Sequence, residues 1–205
     1  MESVFISWAI SATVIIFVMG IIGKKSKLNN VLAIFIDFRG RFSLTRFQIS
    51  MWTLIIVSLL SGVFFARLFG GVESPLDITI PNQLLILMGI SVGSTVASEA
   101  IKAEKDKRST ARVVKASRDD GARFAQVYLA EEGTAGEEGA VDITKFQNYL
   151  FTLIVLIAYV AAAIAVIAKT SVSCLDFLPG LGGTMLTLIG ISHAGYIAGK
   201  LPDQK

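Results

Sequence analysis

Residues 146–168 read FQNYLFTLIVLIAYVAAAIAVIA, 23 residues without a charge. A helix rises about 1.5 Å per residue and a hydrocarbon core is about 30 Å thick, so about 20 apolar residues cross it. On either side of this stretch lie four more uncharged runs of similar length, residues 3–23, 47–66, 78–98 and 177–199. Their polarity does not alternate as barrel strands would, and a lipid-exposed helix satisfies its own backbone hydrogen bonds. The sequence predicts an all-α, polytopic membrane protein with five transmembrane helices. Composition agrees: of 205 residues, 53% are hydrophobic and 17% charged, with a mean hydropathy of +0.66.

Composition also narrows the chemistry. One Cys and one His rule out an intrachain disulfide and supply too few ligands for a typical zinc site. We therefore expect no metal, no cofactor and no catalytic centre. Any Ser-His-Asp or Cys-His arrangement would have to use His193. Gly180-Leu181-Gly182-Gly183-Thr184 lacks the Lys of a phosphate-binding loop and reads as a turn entering a helix.

The charges set an expected orientation. Of the 19 Lys/Arg, 17 lie in residues 24–46, residues 102–145 and at the C-terminal end, where Lys200 and Lys205 stand. By the positive-inside rule these segments are cytoplasmic. The first run begins Met1-Glu2 and is followed, not preceded, by Lys24, Lys25 and Lys27. It reads as a retained anchor rather than a secretory signal. The expected protein sits in the bacterial inner membrane, N-terminus outside and C-terminus inside. Its parts are an anchor (1–23), a basic segment (24–46), a first hairpin (47–101), a cytoplasmic loop (102–145), a second hairpin (146–200) and a tail (201–205).

The hairpins resemble each other. Thr45-Arg46-Phe47-Gln48 matches Thr144-Lys145-Phe146-Gln147, and Thr53-Leu54-Ile55 matches Thr152-Leu153-Ile154. Gly89-Ile90-Ser91 matches Gly190-Ile191-Ser192. Both copies start and end on the same side, so they are expected to be parallel repeats about an axis along the membrane normal. The Ser43-Leu44-Thr45-Arg46-Phe47-Gln48 motif, Trp52-Thr53 and the closing Leu188-to-Lys200 stretch resemble a group of uncharacterised bacterial multi-pass inner-membrane proteins. The likeness covers residues 43–201, with Phe151 where the second copy would carry Trp. It implies architecture and a bacterial source, and no activity.

Four sets of side chains are candidates for function. The small residues Gly89, Gly93 and Ala97, with Gly190, Ala194 and Ala198, form ridges that let helices approach closely; packing within the chain is the first reading and a subunit interface the second. Lys24, Lys25, Lys27, Arg39, Arg41, Arg46 and Lys145 are expected to reach lipid head groups. Phe124, Val127 and Tyr128, spaced i, i+3, i+4 in the charged loop, are a candidate docking element for a protein partner. Gln48, Gln147 and His193 are a candidate intramembrane polar site.

Several local expectations accompany these. Thr45 and Thr144 are expected as helix N-caps, with Gln48 and Gln147 completing capping boxes. His193 is expected to bond Ser192 or Tyr196, and Glu99 to pair with Lys102. The apolar stretch from Val31 to Phe38 is expected as an interfacial helix. Residues 102–123 carry a net +4 and residues 124–145 a net −4; the basic half suits anionic lipid, and Glu131 to Gly139 is expected to be flexible. Too few aromatics interleave the basic half for nucleic acid. The leading functional expectation is a non-enzymatic anchor or scaffold subunit that presents this loop to protein partners, or to further copies of itself, and to anionic lipid of the bilayer. The rival is a small oligomeric channel or transporter.

Overall fold

Charge placement and two prolines, Pro81 and Pro179, decide where the helices run. The computed structural model describes residues 2–26, 28–108, 122–130 and 140–201. The helices are α1 (Glu2–Lys25), α2 (Leu44–Phe69), α3 (Asn82–Arg108), α4 (Ile143–Ile167) and α5 (Gly183–Ala198). The described residues contain only isolated β-bridges outside the helices and short 3-10 turns. Four helices, α1 to α4, are long and apolar enough to cross a membrane.

The fifth uncharged run makes a shorter helix than its length suggests. Its first residues are extended: Leu178 N–H donates to the Thr79 carbonyl at 3.0 Å, and Pro179 has no N–H to give a helix. The α5 helix keeps 16 residues, about 24 Å at about 1.5 Å per residue. The α3 helix is displaced the other way. Pro81 delays its start to Asn82, and it continues through charged residues to Arg108.

Helices α2 to α5 pack in a ring, α2 against α3 and α4, and α5 against α3 and α4. One apolar core fills it, including Trp52, Leu59, Leu87, Val155, Tyr159 and Ile189. Helix α1 lies outside the ring along α2. Only 6% of the apolar window of α1 is buried, against 50% for α2, so α1 is far less buried than α2. Its contact is nonetheless close: Trp8 Nε1 donates to Ser58 Oγ at 3.1 Å. A Cβ on Gly62 would stand 2.6 Å from Trp8 Cα.

This corrects the first reading of the expected ridges, packing within the chain. A Cβ on Gly89 or Gly93 meets nothing within 4 Å, and one on Gly190 meets only Ile90 Cδ1 at 3.8 Å. Gly89, Gly93, Ala194 and Ala198 are exposed, and Ala97 and Gly190 are half-buried. The inward face of α3 carries Leu84, Leu87, Ser91, Ser94 and Ser98, and helical periodicity puts Gly89 and Gly93 opposite it. Close approach within the chain rests on Gly62, and on Gly23, where a Cβ would lie 2.6 Å from the Val31 carbonyl oxygen.

At the end of the ring opposite the starts of α2 and α4, the two hairpins are tied together. Thr79 and Phe177 form a parallel bridge, with Thr79 N–H donating to the Asp176 carbonyl at 2.7 Å. Arg67, buried, donates to the Leu175 carbonyl at 3.0 Å and the Ser74 carbonyl at 2.9 Å. Beside this tie, Cys174 is exposed. The Ser171 and Ser173 hydroxyls hold its thiol below the ordinary range, against an opposing push from Asp176. A lowered thiol pKa keeps thiolate present at lower pH, and thiolate is the reactive form. Alkylation of Cys174 should therefore reach half its maximal rate at a lower pH than a cysteine in an unstructured peptide. A pH profile of iodoacetamide labelling checks this, and Ser171→Ala should move the profile upward.

Candidate functional site at the basic end

The other end of the bundle, where α2 and α4 begin, gathers most of the described ionic groups into a cap. The segment expected as an interfacial helix forms instead a 3-10 turn, Ala33–Phe35, and a tight antiparallel turn closed by the Ile36–Phe42 bridge. Gly40 takes φ 81° at its tip, a conformation open to glycine at no steric cost. Asp37 organises the turn: its Oδ1 accepts the Arg39 N–H at 2.9 Å and the Arg41 N–H at 3.2 Å. Its Oδ2 lies 2.8 Å from Lys102 Nζ, and the two side chains are 1% and 2% exposed.

The basic residues expected at lipid head groups divide. Lys24 and Lys25 are exposed at the end of α1; Lys27 lies outside the described residues. Arg39, Arg41 and Lys145 are buried, which corrects the head-group reading. Irregular chain at this level carries carbonyls that need donors, and these side chains supply them. Arg39 Nη2 donates to the Lys102 carbonyl at 2.9 Å, and Lys145 Nζ to the Leu129 carbonyl at 2.7 Å. Arg41 Nη2 approaches the Ala130 carbonyl at 3.4 Å. Arg46 pairs with Glu99, Nε to Oε1 2.6 Å. Glu99 was expected to pair with Lys102, but Asp37 holds that ammonium.

The stem of the α3–α4 connection folds onto this cap. Phe124–Val127 is a 3-10 turn, and Leu129 and Val141 form an antiparallel bridge just before α4. Ala130 N–H donates to the Ala140 carbonyl at 2.9 Å, and Asp142 N–H to the Tyr128 carbonyl at 3.0 Å. Gln126 Oε1 accepts from Phe42 N–H at 3.0 Å, joining the two turns. Of the candidate docking residues, Val127 is fully buried, Tyr128 half-buried and Phe124 46% exposed. Phe124 packs edge-on against Phe42, Phe47 and Tyr149, and Tyr128 against Phe146 and Tyr149. Their spacing suggested a helical face, whereas a 3-10 turn directs them into an aromatic cluster. The expected flexible segment, Glu131 to Gly139, and most of the basic half of the loop lie outside the described residues, as does the end of the tail.

Helix starts differ from expectation by a few residues. Ser43 is the N-cap of α2, and Asp142 caps α4 by accepting the Lys145 N–H at 3.1 Å. Thr45 and Thr144 lie inside the helices, so no capping box forms with Gln48 or Gln147. Gln48 is buried and donates to Asn148 Oδ1 at 2.9 Å and Thr152 Oγ1 at 2.7 Å. Gln147 is exposed; Asn148, one residue on, faces the ring instead. His193 Nδ1 meets Ser94 Oγ of α3 at 2.8 Å, not Ser192 or Tyr196. Sequence reasoning missed Asp37, Gln126, Asn148 and Ser94. The one available signal was the apolar residue, Phe42 or Val141, at matching spacing before Gln48 and Gln147.

Among the described residues, no group of three or more His, Cys, Asp or Glu side chains could hold a metal ion. No family model matches the chain, and no curated protein or solved structure is significantly similar to it.

Proposed function

We propose that this chain is a non-enzymatic anchor of a bacterial inner membrane, whose cytoplasmic cap presents the α3–α4 loop to protein partners and to anionic lipid. The observation that carries the reading is the double clamp on the loop stem: Lys145 and Arg41 reach the Leu129 and Ala130 carbonyls, and Gln126 joins the stem to the Asp37 turn. Buried cations at one loop's base fix where that loop emerges. A surface that positions a charged segment suits recognition, because steering and register depend on charge placement. The exposed Lys24 and Lys25 suit the anionic inner leaflet.

In this reading α5 is the fifth span and the hairpins are parallel repeats. The same order of 3-10 turn, antiparallel bridge and long helix at the start of each supports the repeat. Cys174 then faces outward, and a membrane-impermeant maleimide should label it in intact spheroplasts. Labelling that requires lysis would refute the orientation.

The functional test exchanges residues 131–139 for a Gly-Ser segment of equal length in the full chain. Cross-linking in cells followed by mass spectrometry should show the wild-type partner set lost from the variant, with membrane insertion unchanged. The same purified protein in liposomes should pass no ions or small solutes above a protein-free control. An intact partner set in the variant, together with flux in the wild type, would instead support the channel reading.

A further inference from the structure

Each helix of the ring carries buried side chains with polar atoms that find no protein partner. These are Gln48 Oε1 on α2, the Ser91 and Ser98 hydroxyls on α3, Asn148 Nδ2 on α4, and the Ser192 hydroxyl and His193 Nε2 on α5. All six side chains are at least nine-tenths buried. They fall in one layer about 10 Å deep, the rise of α3 from Ser91 to Ser98 at about 1.5 Å per residue. Thr95 Oγ1 donates to the Thr45 carbonyl at 3.3 Å, which sets the Ser91–Ser98 turns of α3 beside the start of α2. Gln48, one turn on, reaches Asn148, and His193 reaches Ser94.

Hydrogen bonds within the layer define what it offers. The Ser94 hydroxyl lies 3.1 Å from the Ser91 carbonyl and 2.8 Å from His193 Nδ1, and its one proton can go to either. His193 Nε2 is accordingly an acceptor in one tautomer and a donor in the other. Gln48 gives its amide protons to Asn148 Oδ1 and Thr152 Oγ1, leaving Oε1 as an acceptor. Asn148 Nδ2 remains a donor. The layer is thus a neutral set of acceptors, donors and hydroxyls that serve as either.

Leaving a buried polar group unmet costs about 1–3 kcal/mol, and each of these six groups needs a partner. We propose that this layer binds a cluster of water molecules inside the membrane-spanning ring. Buried water typically makes about three hydrogen bonds to otherwise unmet polar groups, and it both donates and accepts, as this set requires. A bound cation fits poorly. The ionised groups nearest in the fold are engaged, Asp37 with Lys102 and Glu99 with Arg46, so no carboxylate is left to offset a buried charge.

The single histidine of the chain makes the test clean. Full-length protein labelled with 15N-histidine, reconstituted in sodium-buffered bilayers, yields one ring to observe by solid-state NMR. The expected spectrum has one protonated and one unprotonated ring nitrogen and magnetisation transfer from water to the ring. Exchange of sodium for a bulky organic cation should leave both unchanged. A ring that receives no transfer from water would overturn the proposal. So would a sodium-dependent shift of Nε2, which would give the layer to a cation.

Discussion

Gly62→Leu should detach α1 from the bundle. A Cβ at this position would lie 2.6 Å from Trp8 Cα and 2.9 Å from Trp8 N. Both are backbone atoms, so no rotamer change relieves the clash and the helices must separate. Separation also breaks the Trp8–Ser58 hydrogen bond. In lipid, helices associate chiefly through close packing rather than through a hydrophobic drive, so a lost contact has no general force to replace it. Overpacking a tight site costs about 1–3 kcal/mol, and backbone contact on both sides places this variant at the upper end. Thermal unfolding in detergent should show a clearly lowered transition, with Trp8 more accessible to a lipid-phase quencher. Gly89→Leu and Gly93→Leu are the controls, since a side chain at either enters open space in the monomer. If Gly62→Leu matches Gly89→Leu in stability, the α1–α2 contact is not close.

Lys102→Met should loosen the cap more than any other single change there. It strands the Asp37 carboxylate, which is 1% exposed. Removing one partner of a buried ion pair costs about 3–5 kcal/mol, whereas replacing both with neutral groups is often near neutral. Adding Asp37→Asn should therefore restore much of the loss, because asparagine keeps an oxygen for the Arg39 and Arg41 amides without a charge. Limited proteolysis within residues 122–130 should accelerate in Lys102→Met and slow again in the double variant. Additive losses in a double-mutant cycle would show that the two side chains do not act as a pair.

Long uncharged runs were enough to read four apolar helices, because the cost of unpaired backbone in lipid leaves the chain few alternatives. Counting charges located their ends less well. Pro81 and Pro179 shorten the third and fifth apolar runs, while α3 runs on through charged residues once it has left the apolar stretch. The cap was harder to read. Arg39, Arg41 and Lys145 look like head-group anchors when only their charge is considered. Their actual partners are backbone carbonyls of chain distant in sequence, such as Arg39 with the Lys102 carbonyl and Lys145 with the Leu129 carbonyl. No pattern of residue types marks a carbonyl as needing a donor. The intramembrane site was half legible. Gln48 and His193 were chosen as rare polar groups in apolar runs. Asn148 was passed over for Gln147 because the repeat aligned the glutamines, although helical phase, not alignment, decides which neighbour turns inward.

Arg67 links the order of synthesis to the order of assembly. Its partner at Leu175 lies 108 residues downstream, and the Thr79 bridge also waits for the Asp176–Leu178 segment. At about 5–20 residues per second, the first hairpin stands alone for about 5–20 s before those carbonyls exist. During that interval the Ser74 carbonyl, on the same connection, is the Arg67 acceptor already available. A ribosome stalled between the hairpins would hold a half-built bundle with a guanidinium short of one acceptor and a sheet-like edge open at Thr79. The upper tie of the bundle is therefore completed only when the second hairpin arrives.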